Sequence, residues 1–222
     1  MDLNPDMLEY YDRRAPEFEE VYHVPERQPD LDDLRQRLCT HFAGRRVLDV
    51  ACGTGYWTHF IAKSAQRITA TDAGSKVMEA AYMKDYGDCP VEFIRSDAYN
   101  LAEIKGDFDA CFVGFFWSHI LKQRRPDFLK TICSKLAPGS TVVMIDNMFV
   151  EGEMTPLHRS DEEGNTYRER RLRDGSAYEI VKNYPTEAEM RHDLTPFGEV
   201  VEWRVYKYYW WVEWRTKADI AT

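Results

Sequence analysis

Apolar and polar positions change rhythm twice along the chain. Up to about residue 40 they recur at helical spacing, with Met7, Leu8 and Tyr11 on one face and Leu31, Leu34 and Leu38 on another. Pro16, Pro25 and Pro29 break the stretch between them, which predicts helix and loop. From Arg45 onward, short apolar runs at 47–50, 68–71, 91–94, 108–113 and 141–145 read as strands. Helical faces lie between them: Trp57, Phe60, Ile61 and Ala65; then Val77, Met78, Ala81 and Tyr82, with Ser75 as a cap; then Phe128, Leu129, Ile132, Cys133 and Leu136, with Pro126 in the first turn and Pro138-Gly139 as the stop. Such alternation predicts a parallel sheet with helices on both faces.

The last third departs from this rhythm. Asp174-Gly175 between two strand-like runs predicts a hairpin over 166–182. Thr186 and Glu189 form a capping box ahead of a short helix. Two aromatic-rich runs, 200–206 and 208–214, read as a final pair of strands. Alternation sends Tyr208, Trp210 and Val212 to one side and Tyr209, Trp211 and Glu213 to the other. One set suits the core, and the second suits either the core or a homodimer interface. The expected division is 1–40 as a helical cap, 41–150 as the core, 151–184 as a hairpin lid and 185–222 as the helix and strands completing the sheet.

Composition narrows the function. The 222 residues carry 29 Lys and Arg against 38 Asp and Glu, a net charge of −9. That disfavours nucleic acid and anionic membranes as partners. No apolar run is long enough to span a bilayer, and the opening MDLNPDMLEYYDRRAP lacks the layout of a secretory signal. The five cysteines contain no CxxC pair, so a cytoplasmic, reduced protein without a metal centre is expected.

The chemistry is concentrated at Asp49-Val50-Ala51-Cys52-Gly53-Thr54-Gly55, where a strand enters a tight glycine turn and a helix opens at once. Glycines let a ligand lie against bare backbone. Thr58 occupies the place of the third glycine of a dinucleotide fingerprint, and Asp49 would repel a pyrophosphate while suiting a cation. Asp72 ends the second strand, where a carboxylate reaches a ribose, and Asp97 follows the third.

Between about Arg45 and Asn147 the chain resembles the class I S-adenosylmethionine-dependent methyltransferases. The resemblance is carried in order by LDVACGTG (48–55), ITATD (68–72), SDA (96–98), FDACFVGFFWSH (108–119) and LAPGSTVVMID (136–146). It implies a doubly wound, Rossmann-like α/β fold with a mixed seven-stranded sheet and an antiparallel C-terminal strand pair. It also implies methyl transfer from S-adenosyl-L-methionine to a small-molecule acceptor, with S-adenosyl-L-homocysteine as product. Residue by residue, it places the cofactor against Tyr11, Asp49, Ala51, Cys52, Gly53, Thr54, Gly55, Trp57, Asp72, Ala73, Asp97, Ala98, Gly114 and Phe115. Ala51 stands where many members have glycine. The acceptor falls to Phe116, Trp117, His119 and Asn147, with His119 either a general base or a histidine bonded to a loop carbonyl. Asp146-Asn147 matches the metal ligands of catechol-type enzymes, but the acid those enzymes need on the fourth strand is replaced by Val113-Gly114. The hairpin arginines Arg168, Arg170, Arg171 and Arg173 either draw in an anionic acceptor or form a solvated face paired with Glu162, Glu163 and Glu169. Two other readings stay open: a nicotinamide-dependent oxidoreductase, and a non-catalytic cofactor-binding module with a protein partner.

Overall fold

In the computed structural model, which describes residues 5–218, the apolar runs become strands of one sheet and the helical stretches cover it. The chain begins with α1 (Pro5–Arg14), a 3₁₀ segment (Ala15–Tyr22), a 3₁₀ turn (Pro25–Arg27) and α2 (Gln28–His41). The core follows as β1 (Arg46–Val50), α3 (Tyr56–Ile61), β2 (Arg67–Asp72), α4 (Ser75–Tyr82), β3 (Val91–Arg95), β4 (Phe108–Gly114), α5 (Arg125–Cys133) and β5 (Leu136–Asn147). The rest is β6 (Arg159–Ser160), β7 (Thr166–Arg171), β8 (Ala177–Val181), α6 (Glu187–Leu194), β9 (Gly198–Val205) and β10 (Tyr209–Thr216).

The seven-stranded sheet has the order β3-β2-β1-β4-β5-β10-β9. Neighbours from β3 to β5 pair in parallel, whereas β10 runs antiparallel to both β5 and β9. Strand parity sorts the side chains into two cores. Leu48, Val50, Cys111, Val113 and Trp210 pack with Phe128, Ile132 and Met190 on one face. Val47, Ala110, Phe112 and Trp211 pack with Leu31, Leu34, Leu38 and Ile61 on the other. The carboxyl ends of β1 and β4 flank the point where the strand order reverses, which is where open α/β sheets hold ligands.

The aromatic tail is consumed inside this sheet, since Tyr208, Tyr209, Trp210, Trp211 and Trp214 are all buried. A second sheet, β6-β7-β8, contains the expected hairpin together with a two-residue strand the pattern did not announce. Its inner face meets α1 in a small separate core of Met7, Tyr10, Leu172 and Ile180. Among the described residues, no helix is long and apolar enough to cross a membrane.

Three local expectations are corrected. Helix α5 stops at Cys133, and Pro138-Gly139 lies within β5, beside the register shift where Phe108 pairs with Leu136 and Ala110 with Thr141. A strand tolerates proline at such an irregularity. Ser75 does not cap α4. The cap position is Gly74, and the Asp12 carboxylate of α1 accepts from the amides of Ser75 and Lys76 instead. Tyr82, expected on the buried face of α4, is 58% exposed and packs edge-on against Phe93.

One buried ion pair ties the two sheets together. The Lys182 ammonium, just past β8, donates to Asp146 Oδ1 at 3.1 Å and to Ser118 Oγ at 2.7 Å. The other carboxylate oxygen accepts from the Ser118 amide at 2.9 Å. Burial alone would raise the Asp146 carboxyl, but Lys182 and the neighbouring amides hold it below its ordinary range, so it stays ionised. Removing one partner strands the other charge in the interior. Lys182→Met is therefore expected to lower unfolding stability by about 3–5 kcal/mol, read from urea titration at neutral pH. An unchanged midpoint would show that the pair is not what joins the sheets.

Candidate active site

The cleft opens above β1, β2 and β4 and is lined mainly by apolar and aromatic side chains with a few polar groups among them, as small-molecule sites are. Its floor is the glycine turn. Gly53 and Gly55 both have positive φ, at 57° and 73°. At Gly55 a side chain is excluded twice over, because a Cβ would lie 2.2 Å from the Tyr86 hydroxyl and 3.1 Å from Ala81. At Gly53 the nearest neighbour is the Phe18 ring at 3.6 Å, so bare backbone faces the cleft. Ala51 (φ 57°) and Phe115 (φ 59°) take the same left-handed conformation with a side chain attached. That costs roughly 1–2 kcal/mol per residue, and such strain tends to sit at ligand sites. The missing glycine at position 51 is thus felt as backbone strain, since the turn itself keeps its shape.

Two carboxylates sit at the strand ends. Asp72 lines the cleft, and its oxygens accept from the Gly53 and Gly74 amides, both at 2.8 Å. Burial raises its pKa, and those amides partly offset the rise. Asp49 lies beneath the turn, 1% exposed, and accepts from Thr58 Oγ1 at 2.6 Å. Its other oxygen, Oδ1, is buried without a partner. Burial, with the nearby Asp72 charge adding to it, pushes the Asp49 carboxyl up to about 7.

The walls are aromatic. Trp57 stacks on Phe115 with ring centroids 5.6 Å apart, and its indole N–H donates to the Tyr22 hydroxyl at 3.0 Å. Tyr22 in turn stacks on Tyr56 at 4.0 Å. Over the mouth lies α1. The hydroxyl of Tyr11 donates to His119 Nε2 at 2.7 Å, because His119 Nδ1–H is already spent on the Val181 carbonyl at 2.7 Å. Burial, aided by the Lys182 charge, pushes His119 down to about 3. Burial also raises the Tyr11 phenol far above its ordinary value. Both groups are therefore neutral across ordinary pH.

Of the residues singled out from sequence, Tyr11, Ala51, Cys52, Gly53, Thr54, Trp57, Asp72, Ala73, Ala98, Gly114, Phe115, Phe116 and His119 line this one cleft. Asp49 and Gly55 support its floor from beneath. Asp97 lies beside it, with Ser96 and Ala98 on the lining while its own carboxylate accepts from the Tyr99 amide at 2.9 Å. Trp117 and Asn147 are not brought to it. Trp117 is fully buried under the Arg125 guanidinium, and Asn147 stays in the ladder opposite Tyr209. Asp146 is committed to Lys182. Also on the lining, and not expected there from the sequence, are Met7, Leu8, Phe18, Tyr22, Tyr56, Gly74, Val77 and Ser96. For Phe18 and Tyr22 the i, i+4 aromatic spacing was the available signal.

Comparison with known proteins agrees with this geometry. Residues 47–139 match a family profile described as "Methyltransferase domain". The demethylmenaquinone methyltransferase of Clavibacter sepedonicus is 31% identical over 104 residues, which is 47% of this chain and 42% of that protein. The enzyme of the same name from Lactococcus lactis is 31% identical over 111 residues, covering 46% and 42%. The chain thus spans less than half the length of these relatives. Among solved structures, one described as "DhpI-SAM-HEP complex" superposes with a TM-score of 0.76 at 28% identity, over 95% of this chain and 96% of that one. The PH0226 protein of Pyrococcus horikoshii shares the fold, with a TM-score of 0.69 at 18% identity over 87% and 92%. Turn, strand order, profile and superposition agree: residues 47–139 carry a methyltransferase domain, set in the fold of these S-adenosylmethionine-dependent neighbours.

Proposed function

We propose that this protein is a cytoplasmic enzyme that transfers a methyl group from S-adenosyl-L-methionine to a small-molecule acceptor. The observation that carries the reading is the partnerless Asp49 Oδ1, buried under a bare glycine turn within electrostatic reach of Asp72. Two mutually repelling carboxylates, buried at the floor of one cleft, call for a cation. The residues fit the cofactor. Asp49 would face its ammonium group, Asp72 has lone pairs left for ribose hydroxyls, and Val77, Ala98 and Phe116 offer an apolar slot for a flat base. The neighbouring complex named above, aligned over nearly the whole chain, supports the same ligand. The five free thiols fit a reducing compartment.

When bound, that cofactor supplies a methyl group on positively charged sulfur. The chain's part is to orient the partners and exclude water. Trp57, Phe115 and Phe116 wall the reacting end, while α1 and the 151–184 segment close the mouth as a lid. His119 is a positioning residue in this account. With a pKa near 3 it is a weak base, and it fixes the Tyr11 hydroxyl and hence α1 over the cleft. The demethylmenaquinone methyltransferases align with less than half of the chain, and the acceptor in their name does not carry over. Helix α1 and the small sheet, which shape the acceptor side, lie outside the matched 47–139 segment.

Two outcomes are expected. Below about pH 7 the Asp49 carboxyl is protonated in the free protein, and a bound cation favours its ionised form. Binding must therefore release a proton, and affinity must climb as pH rises toward neutrality. Calorimetry near pH 6.5 in buffers of different ionisation heat should show net proton release that vanishes in Asp49→Asn, and Asp72→Ala should weaken binding roughly 10- to 100-fold. Binding without proton release, or at equal strength in Asp72→Ala, would refute the assignment. Second, His119→Ala should lower turnover about tenfold or more while leaving cofactor affinity nearly unchanged. Turnover is read as S-adenosyl-L-homocysteine formed with an acceptor found in a metabolite panel. A wild-type acid limb near the ordinary histidine pKa that disappears in His119→Gln would instead make His119 a general base, and a protein that binds the cofactor yet never turns it over would be a binding module.

A further inference from the structure

The cleft above Asp49 and Asp72 has no lysine or arginine on its lining. Its side-chain donors are neutral, and most are already committed to the protein. The Tyr11 hydroxyl donates to His119, and His119 Nδ1–H to the Val181 carbonyl. Thr54 Oγ1 donates to Glu19 at 2.6 Å, and Ser96 Oγ to the Asn100 carbonyl at 3.0 Å. The Trp57 indole donates to Tyr22, and the Cys52 thiol lies 3.8 Å from the Gly53 carbonyl. In the turn itself, the Gly53 amide is taken by Asp72 and the Gly55 amide by the Cys52 carbonyl.

Two side-chain donors remain. Tyr22 accepts from Trp57 Nε1 at 3.0 Å and Tyr56 accepts from Arg35 Nε at 2.9 Å, and neither hydroxyl proton meets an acceptor among the described residues. Tyr22 is only 3% exposed, and a buried donor left without an acceptor is unfavourable. The two rings stack with centroids 4.0 Å apart and planes 18° from parallel. Sequence explains the place of the pair. Tyr22 ends the 3₁₀ segment, while Tyr56 and Trp57 open α3 directly after Gly55. Tyr22 also meets Trp57 edge-on at 5.4 Å, so the unmatched hydroxyls stand beside the glycine turn. Arg35 of α2 fixes both residues, since its Nη2 donates to the Tyr22 carbonyl at 3.3 Å. Burial raises the pKa of both phenols, which keeps them protonated as donors at neutral pH.

We propose that the Tyr22 hydroxyl, with Tyr56 as second donor, holds the carboxylate of the cofactor's amino-acid end. The inference rests on the cofactor reading, which puts that end over the Gly53–Gly55 turn. Charge selects the group. The amino-acid end carries an ammonium and a carboxylate, and Asp49 answers the first. The second is then another anion close to two buried acids, on a wall without a cation. Hydrogen bonds from neutral hydroxyls hold such a group, and they are stronger for the charge on the acceptor. Each phenol is polarised further by the N–H that donates to its oxygen.

The test is calorimetric titration of the whole protein with S-adenosyl-L-homocysteine and with its decarboxylated analogue, which keeps the ammonium and lacks the carboxylate. The wild type should bind the parent compound at least about tenfold more tightly than the analogue. Tyr22→Phe removes only the hydroxyl, and it should shrink that advantage about tenfold or more. Any cost of leaving the Trp57 N–H without its acceptor falls on both ligands and cancels in the ratio. Tyr56→Phe should shrink the advantage in the same direction, and it decides the matter if Tyr22→Phe fails to fold. An unchanged ratio in the variant, as a merely structural tyrosine would give, overturns the proposal. So does a wild type that binds both compounds equally well, a result that leaves the cofactor reading standing. A wild type that binds neither nucleoside overturns the cofactor reading and the proposal together.

Discussion

Two carboxylates, Asp49 and Asp72, are held at the ends of adjacent parallel strands, with one buried oxygen of Asp49 left without a protein partner. That arrangement is unfavourable in isolation, and burial raises the pKa of both groups. It persists because the sheet overdetermines it. Asp49 is locked by Thr58 at the start of α3, and Asp72 by two turn amides. Ala51 and Phe115, both at positive φ, show the same pattern of a rigid scaffold holding an unfavourable local geometry beside the cleft.

The elements outside the doubly wound core act on this centre from above. Asp12 of α1 caps α4. Glu19 of the following 3₁₀ segment accepts from Thr54 in the glycine turn at 2.6 Å and pairs with Lys84 at 2.7 Å. Tyr11 reaches His119, which bonds the end of β8, and the next residue, Lys182, joins the buried Asp146. The N-terminal helix, the small sheet and the fifth strand are thus linked through polar contacts of short reach.

How much of this the sequence disclosed follows from how local each feature is. Strands β1 to β4, the glycine turn and the capping box at Thr186 are written in short-range pattern, and so is the placement of Asp72 at a strand end. The i, i+4 spacing puts Phe18 and Tyr22 on one face, but nothing in the pattern of 15–22 says which sheet edge that face crosses. Ser75 looked like a cap only while Asp12, distant in sequence, was out of view. Pro138-Gly139 read as a helix stop because the alternative, a register shift in β5, depends on its neighbour β4. Trp117 and Asn147 follow strand ends as acceptor contacts would, and packing against Arg125 and Tyr209 takes them elsewhere. The arginine run was visible, but the acids that meet Arg173, Glu17 and Glu20, come from the distant 3₁₀ segment.

The most direct measurement is a crystal structure of the protein with S-adenosyl-L-homocysteine. The amino-acid end of the ligand should lie over the Gly53–Gly55 turn with its ammonium facing Asp49, and the ribose hydroxyls should lie within hydrogen-bond distance of Asp72. A nucleoside bound elsewhere, or seated in the cleft with both carboxylates directed away from it, would contradict the account.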